Sequence, residues 1–207
     1  MPSLATFGAF AVASMALLVI PGPAIVFIVN RSVANGRRVG LASAAGLQLG
    51  TLVHVLAATV GLSAVIAASA VAFSAVKWMG AAYLVGTGLA TLARRAGRAA
   101  GTAGEVGAAR AFRQGFVVNA LNPKVALFFL SFLPQFIDAD RAAAPQALAL
   151  GALFVSLGIV NDGGYALVAG SLREVLVRGR ALPFVQRWVS GTVFVILGVV
   201  AARAKVA

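Results

Sequence analysis

Charged side chains are absent from residues 1–30. Within that run, Leu4 to Val29 spans about 39 Å of helix at about 1.5 Å per residue, enough to cross about 30 Å of hydrocarbon with tilt. This is span 1, closed by Asn30 and Arg31. A second uncharged run, 39–76, is too long for one crossing. It divides near Ala67 to Ala70 into span 2, about 41–66, and span 3, about 71–92. Residues 93–112, rich in Ala, Gly and Arg, have no apolar core of their own and read as a polar linker. Span 4 runs from about Gln114 to Phe136, and Asp138, Asp140 and Arg141 mark a short turn after it. Span 5 covers about 146–170 and span 6 about 184–202, with Arg173, Arg178 and Arg180 between them. The pattern predicts an all-α integral membrane protein with six transmembrane helices.

Composition removes the soluble alternatives. Of 207 residues, 61% are hydrophobic and 11% charged, and mean hydropathy is +0.98. A soluble domain carries about 25% charged residues, so this chain has no surface to offer water. The formal net charge of +12 does not indicate nucleic acid, because the basic residues fall in short clusters between uncharged runs instead of forming one exposed face. With the amino terminus outside, the cytoplasmic segments hold Arg31, Arg37, Arg38, Arg94, Arg95, Arg98, Arg110, Arg113, Arg173, Arg178, Arg180 and Arg187. Only Arg141, Arg203 and Lys205 lie on the other side, while Lys77 and Lys124 fall within or near spans. The positive-inside rule then places both termini on the periplasmic or extracellular side. The first apolar run is too long for a signal core and no basic residue precedes it, so it is expected to stay as a span. The absence of cysteine and the single histidine leave no usual hydrolytic set and no metal site, so neither an enzyme nor a resident cofactor is expected.

Spans 1 and 4 share an interruption. Pro21, Gly22 and Pro23 break the first; Asn122, Pro123 and Lys124 break the second, about 100 residues later. A proline inside a helix leaves the carbonyl four residues back without its donor. In hydrocarbon such a break persists where protein or a water-filled cavity surrounds it. Three spans, a linker and three spans give two repeats in opposite orientation, about 4–92 and 113–203, within a single transport domain. Inverted repeats with matching breaks are a feature of secondary transporters, which bind substrate at the breaks. A kink that only shapes packing is the plainer reading of either proline taken singly.

Polar residues inside the spans are the candidate pathway. Lys124 lies mid-span, where a basic residue costs roughly 2.5–3.5 kcal/mol on insertion scales. It is read either as half of a structural salt bridge or as a partner for a substrate carboxylate. Asp162, flanked by Asn161, Gly163 and Gly164 in span 5, is the natural partner for Lys124, for a substrate ammonium or for a proton. His54 shares a stripe with Gly46 and Gly50 at i, i+4, i+8. The glycines allow close helix approach, and the histidine serves an interhelical hydrogen bond or proton handling equally well. Asn119 is one turn before Pro123, so its carbonyl is the one that proline frees; the Asn119 and Asn122 amides are candidate substrate contacts, with Gln48 a weaker one. Gly36 and Gly40 read as the turn that starts span 2. Gly80 and Gly86, beside Tyr83, argue for packing, and Trp78 and Trp188 for interfacial anchors.

Taken in order, these features resemble the LysE/RhtB family of amino acid exporters. The matching segments are Pro21-Gly22-Pro23; Gly36, Arg37 and Gly40, then Gly46, Gly50 and His54; the stretch Lys77 to Leu84; and Gly115 to Lys124 leading into Leu133-Pro134-Gln135-Phe136. The resemblance implies an inner-membrane exporter of amino acids or similar metabolites, driven by the proton motive force through alternating access, with the proline breaks important to transport. No Walker-type loop is present for direct use of ATP. A passive small-solute channel or a non-transporting scaffold is the competing class. Glycine-rich stripes serve internal packing and homo-oligomer contacts equally well.

Overall fold

The computed structural model describes residues 1–68, 106–138 and 140–171, together with Trp78, Ala82, Val85, Gly86 and Leu89. Span 6, most of span 3 with Gly80 and Tyr83, the linker up to residue 105 and Trp188 lie outside the described residues.

Every regular element described is helical. Helix α1 is Leu4–Val19 and α2 is Pro23–Asn35; α3 is Arg37–Ala68. In the second half, α4 is Ala108–Ala120 and α5 is Pro123–Ser131, followed by a 3-10 turn at Leu133–Phe136 and α6 at Ala143–Ser171. Helices α1 and α2 meet at 55°, and α4 meets the α5 segment at 45°. These are the two interruptions expected in spans 1 and 4. Arg37–Gly61 and α6 are each long and apolar enough to cross a bilayer, as is each bent pair taken as one span. Spans 1, 2, 4 and 5 are thereby accounted for. The five described residues of span 3 are helical, and four of them, Trp78, Ala82, Gly86 and Leu89, are exposed along one face.

Local chemistry sets the helix ends. Ser3 caps α1 by accepting from the Thr6 amide at 3.1 Å. Pro23 and Pro123 stand at the first positions of α2 and α5, where a missing N–H costs nothing because that donor has no helical partner. Gly36 alone links α2 to α3, with φ at +84°, a region that disfavours any side chain. Three boundaries differ from the sequence reading. Helix α2 continues past Arg31 to Asn35, α3 begins at Arg37 instead of near 41, and α4 begins at Ala108 instead of Gln114. Hydropathy misses these turns because they are basic. Their alanines and arginines are nonetheless strong helix formers, and residues 108–112 therefore belong to span 4, not to the linker.

Packing divides the bundle into two ends. At one end Phe10 of α1, Phe128 and Phe129 of α5, and Phe154 of α6 form a buried aromatic core with Phe132, with Phe136 at its margin, edge-on to Phe10 and tilted against Phe132. Ring centroids lie 5.0–6.0 Å apart across this cluster, the spacing at which aromatic pairs add attraction beyond burial. At the other end Ile28, Ala44, Leu47 and Ala166 pack together. Helix α3 runs along both α4 and α6. Against α4 the approach is close: a Cβ on Gly50 would stand 2.7 Å from the Phe116 carbonyl oxygen, and Gly46 and Gly115 face carbonyls of the opposite helix more closely still. Gln146, which the sequence reading passed over, ties the turn before α6. It is 1% exposed, accepts from the Asp138 amide and donates to the Asp138 and Ala142 carbonyls.

Candidate functional site

The two helix breaks meet. Pro21 and Pro23 cannot donate to the last turn of α1, so its carbonyls need other partners. Side chains of the second half supply them. Asn161 donates to the Leu18 carbonyl at 3.3 Å, Tyr165 to that of Val19 at 3.0 Å, and Lys124 to that of Ile20 at 2.8 Å. Three successive carbonyls are thus held by three side chains from spans 4 and 5. The Lys124 side chain crosses Gly22, whose Cβ position lies 3.3 Å from Lys124 Cδ, so the break in span 1 is cut to fit the lysine.

The second break is built around asparagines. Asn122 caps α5 by accepting from the Lys124 amide at 3.0 Å and donates to Asn119 Oδ1 at 3.0 Å. The Asn119 amide nitrogen in turn donates to the Leu47 carbonyl and to Thr51 Oγ1, both at 2.8 Å. Pro123 removes the donor that would have served the Asn119 carbonyl; His54 Nε2 lies 2.8 Å from it. A carbonyl only accepts, so Nε2 carries the proton in this arrangement. His54 therefore makes the interhelical hydrogen bond, one of its two sequence readings. The Asn119 carbonyl also accepts from the Asn122 amide at 3.0 Å, so what His54 adds is the bond across the helix seam. His54→Gln, which keeps an N–H donor, is expected to retain most transport, whereas His54→Leu, which removes that cross-helix bond, should lower the melting temperature of the purified protein. Equal behaviour of the two variants would contradict this assignment.

Asp162, 4% exposed, completes the centre. Its Oδ2 accepts from Gln48 Nε2 at 2.7 Å and its Oδ1 from Asn161 Nδ2 at 3.1 Å. Gln48 fits because α6 presents Gly158 there, with room for no Cβ beside the amide. Lys124, Asp162, Gln48, Asn119, Asn122 and Gly22 all line one cavity of about 30 Å³, room for one or two waters. Ala24 and Ile25 of α2 and Val125 of α5 line it too. Their amides belong to first turns, which have no acceptor inside the helix. Two helix N-termini, each with a partial positive charge, thus converge on a cavity that also holds a buried ammonium and a buried carboxylate.

Other candidates sit elsewhere. The rings of Pro23 and Pro123 are exposed and do not line the cavity; they shape the breaks from outside. Pro21 is buried at the junction. Gly40 packs on Ser32 and Ala166, and Gly46 and Gly50 on α4. Thr51 and Tyr165 belong to the network although the sequence reading did not single them out. Helical spacing was the available signal: Thr51 follows Gln48, and Tyr165 follows Asp162, by three residues.

An all-α bundle with paired breaks around a charged, buried centre fits a polytopic membrane transporter. Residues 15–205 match the family model described as LysE type translocator, and the chain belongs to that family. It is accordingly a multi-pass transporter of the bacterial inner membrane and not an enzyme. It is 30% identical over 203 residues to the homoserine/homoserine lactone efflux protein of Salmonella typhimurium, covering 95% of this chain and 96% of that one. An uncharacterized membrane protein of Vibrio cholerae is 31% identical over 198 residues, again 95% and 96% of the two chains. The leucine efflux protein of Klebsiella pneumoniae is 28% identical over 175 residues, 83% of this chain and 82% of that one. No solved structure matches the chain.

Proposed function

We propose that this transporter exports amino acids or closely similar small metabolites, holding the zwitterion at the paired breaks between Lys124 and Asp162. The observation that carries the reading is the shared cavity of a buried ammonium, a buried carboxylate and two converging helix N-termini. The N-termini and Lys124 face the substrate carboxylate, as half-helix N-termini do at other transporter sites, and Asp162 takes the ammonium. The efflux proteins among its relatives support the outward direction.

At about 30 Å³ the cavity is too small for an amino acid. Substrate entry requires the α1–α2 and α4–α5 spans to part, which favours an alternating site over a standing pore. Movement at the breaks exchanges the Asn161, Tyr165 and Lys124 bonds on α1 for bonds to substrate or water. Asp162 is the carboxylate that couples this exchange to the proton motive force, and both termini face the periplasm.

The deciding experiment loads cells with a panel of aliphatic, hydroxylated and basic amino acids and follows efflux with and without the protein. Saturable, protein-dependent efflux of one class is expected, collapsing when the proton gradient is dissipated. Flux that rises linearly with concentration would replace the transporter with a channel; no flux for any member of the panel would overturn the reading. In inverted vesicles, transport indifferent to an imposed pH gradient and membrane potential would remove the coupling.

A further inference from the structure

A second cavity, of about 420 Å³, lies at the basic end of the bundle between α2 and α4. Its described lining includes Arg31 and Phe27 from α2 and Arg110, Arg113 and Gln114 from α4, above Val117 and Val118. Three guanidinium groups thus face one space, and among the described residues no carboxylate answers them. Asp138 and Asp140 sit at the far end of α5, Asp162 at the breaks, and the ion pair there joins Arg141 to Asp138.

Arg31 is set in place. Its Nη2 donates to Gln114 Oε1 at 2.9 Å, and its guanidinium lies over the Phe27 ring, 5.4 Å from the centroid, a cation–π geometry. Its Nη1 is buried yet has no hydrogen-bond partner. A buried charged donor without an acceptor is costly, and an oxyanion in the cavity would satisfy this N–H. A guanidinium with one free N–H beside two further arginines suits the several oxygens of a phosphate.

The wall of the cavity says where that phosphate comes from. Arg110, Arg113 and Val117 follow one exposed face of α4, and Leu121, just past its end and outside the cavity lining, continues that face, with Val117 50% and Leu121 77% exposed. Charge at the helix start gives way, within two turns, to apolar surface running toward the membrane centre. That is the profile of a phospholipid at the interface, with its headgroup at the arginines and its chains along the valine and leucine. We propose that this cavity is a binding site for the headgroup of an anionic phospholipid in the leaflet at the arginine-rich end of the bundle. Basic pockets between membrane helices recognise headgroups on these terms. The site is separate from the transport centre and stands whether or not the substrate reading above holds.

The test uses the full-length protein purified in mild detergent, with lipid binding read by native mass spectrometry and thermal unfolding. Phosphatidylglycerol and phosphatidylcholine of identical acyl chains are compared, with inorganic phosphate and acetate as soluble oxyanions. The wild-type protein is expected to prefer phosphatidylglycerol at least fivefold. R110Q/R113Q, whose side chains are exposed and whose folding is therefore spared, should reduce that preference to twofold or less, and R31Q should do the same. Equal retention of the two lipids, or a preference that survives both variants, would overturn the site. Stabilisation by phosphate or acetate at millimolar concentration equal to that by the lipid would assign the cavity to a soluble anion and overturn the lipid proposal.

Discussion

Asp162→Asn is expected to cut export at least tenfold while the protein accumulates in the membrane at close to its normal level. The side chains are nearly the same shape, so the effect isolates charge. Asp162 accepts from Gln48 and from Asn161; an amide in its place must donate in one of those directions. Gln48 can answer, because its Oε1 is buried and has no partner. Rotating the Gln48 amide offers that oxygen to the new N–H and keeps every bond count. What the variant loses is the negative charge facing the buried Lys124 and the ammonium of a bound zwitterion. A hydrogen bond to a charged group contributes about 1.5–3 kcal/mol, and about 1.4 kcal/mol of lost substrate binding already corresponds to tenfold. Efflux from loaded cells, normalised to the amount of protein in isolated membranes, is the measurement. Export above half the wild-type rate would show that Asp162 does not carry the substrate or the coupling ion.

Local sequence reveals the breaks because proline and glycine act on the residues next to them. Pro21, Gly22 and Pro23 end α1 and start α2 whatever the rest of the chain does, and Asn122 caps α5 from two residues away. Burial of Lys124 and Asp162 was equally legible, since a charge in the middle of an apolar run has few places to go. The partnerships were not. That Asn161, Tyr165 and Lys124 take the carbonyls of Leu18, Val19 and Ile20 depends on separations of 143, 146 and 104 residues. Nothing in either segment encodes that register except the shape of the assembled bundle. The early start of α4 was hidden for another reason: its first turns are arginine-rich, and a hydropathy scan reads charge as loop where alanine and arginine in fact favour helix. That misreading also concealed the basic cavity, which exists because Arg110 and Arg113 stand on a helix facing α2.

The α3–α4 contact fixes the geometry on which the second break depends, and a single methyl group tests it. Gly46→Ala is expected to destabilise the protein by roughly 3 kcal/mol or more, above the usual range of about 1–3 kcal/mol for overpacking. The added Cβ would run into the Phe112 carbonyl and approach the Phe116 amide at 3.0 Å. These are backbone atoms of α4, which no rotamer change can move aside. The helices must separate, and separation draws on every bond across the seam. Asn119 would lose Leu47 and Thr51, and His54 would lose the Asn119 carbonyl, stranding groups that hydrocarbon cannot solvate. Membrane helices associate largely through such packing and interhelical bonds, so little remains to compensate. Gly61→Ala on the same helix is the control. Its Cβ position meets nothing within 4 Å, and exchanging glycine for alanine in a helix gains about 0.5–1 kcal/mol. Thermal unfolding of the two purified variants should therefore move in opposite directions. Matching shifts would mean that α3 and α4 do not touch backbone to backbone, and the seam that places Asn119 beside the cavity would have to be redrawn.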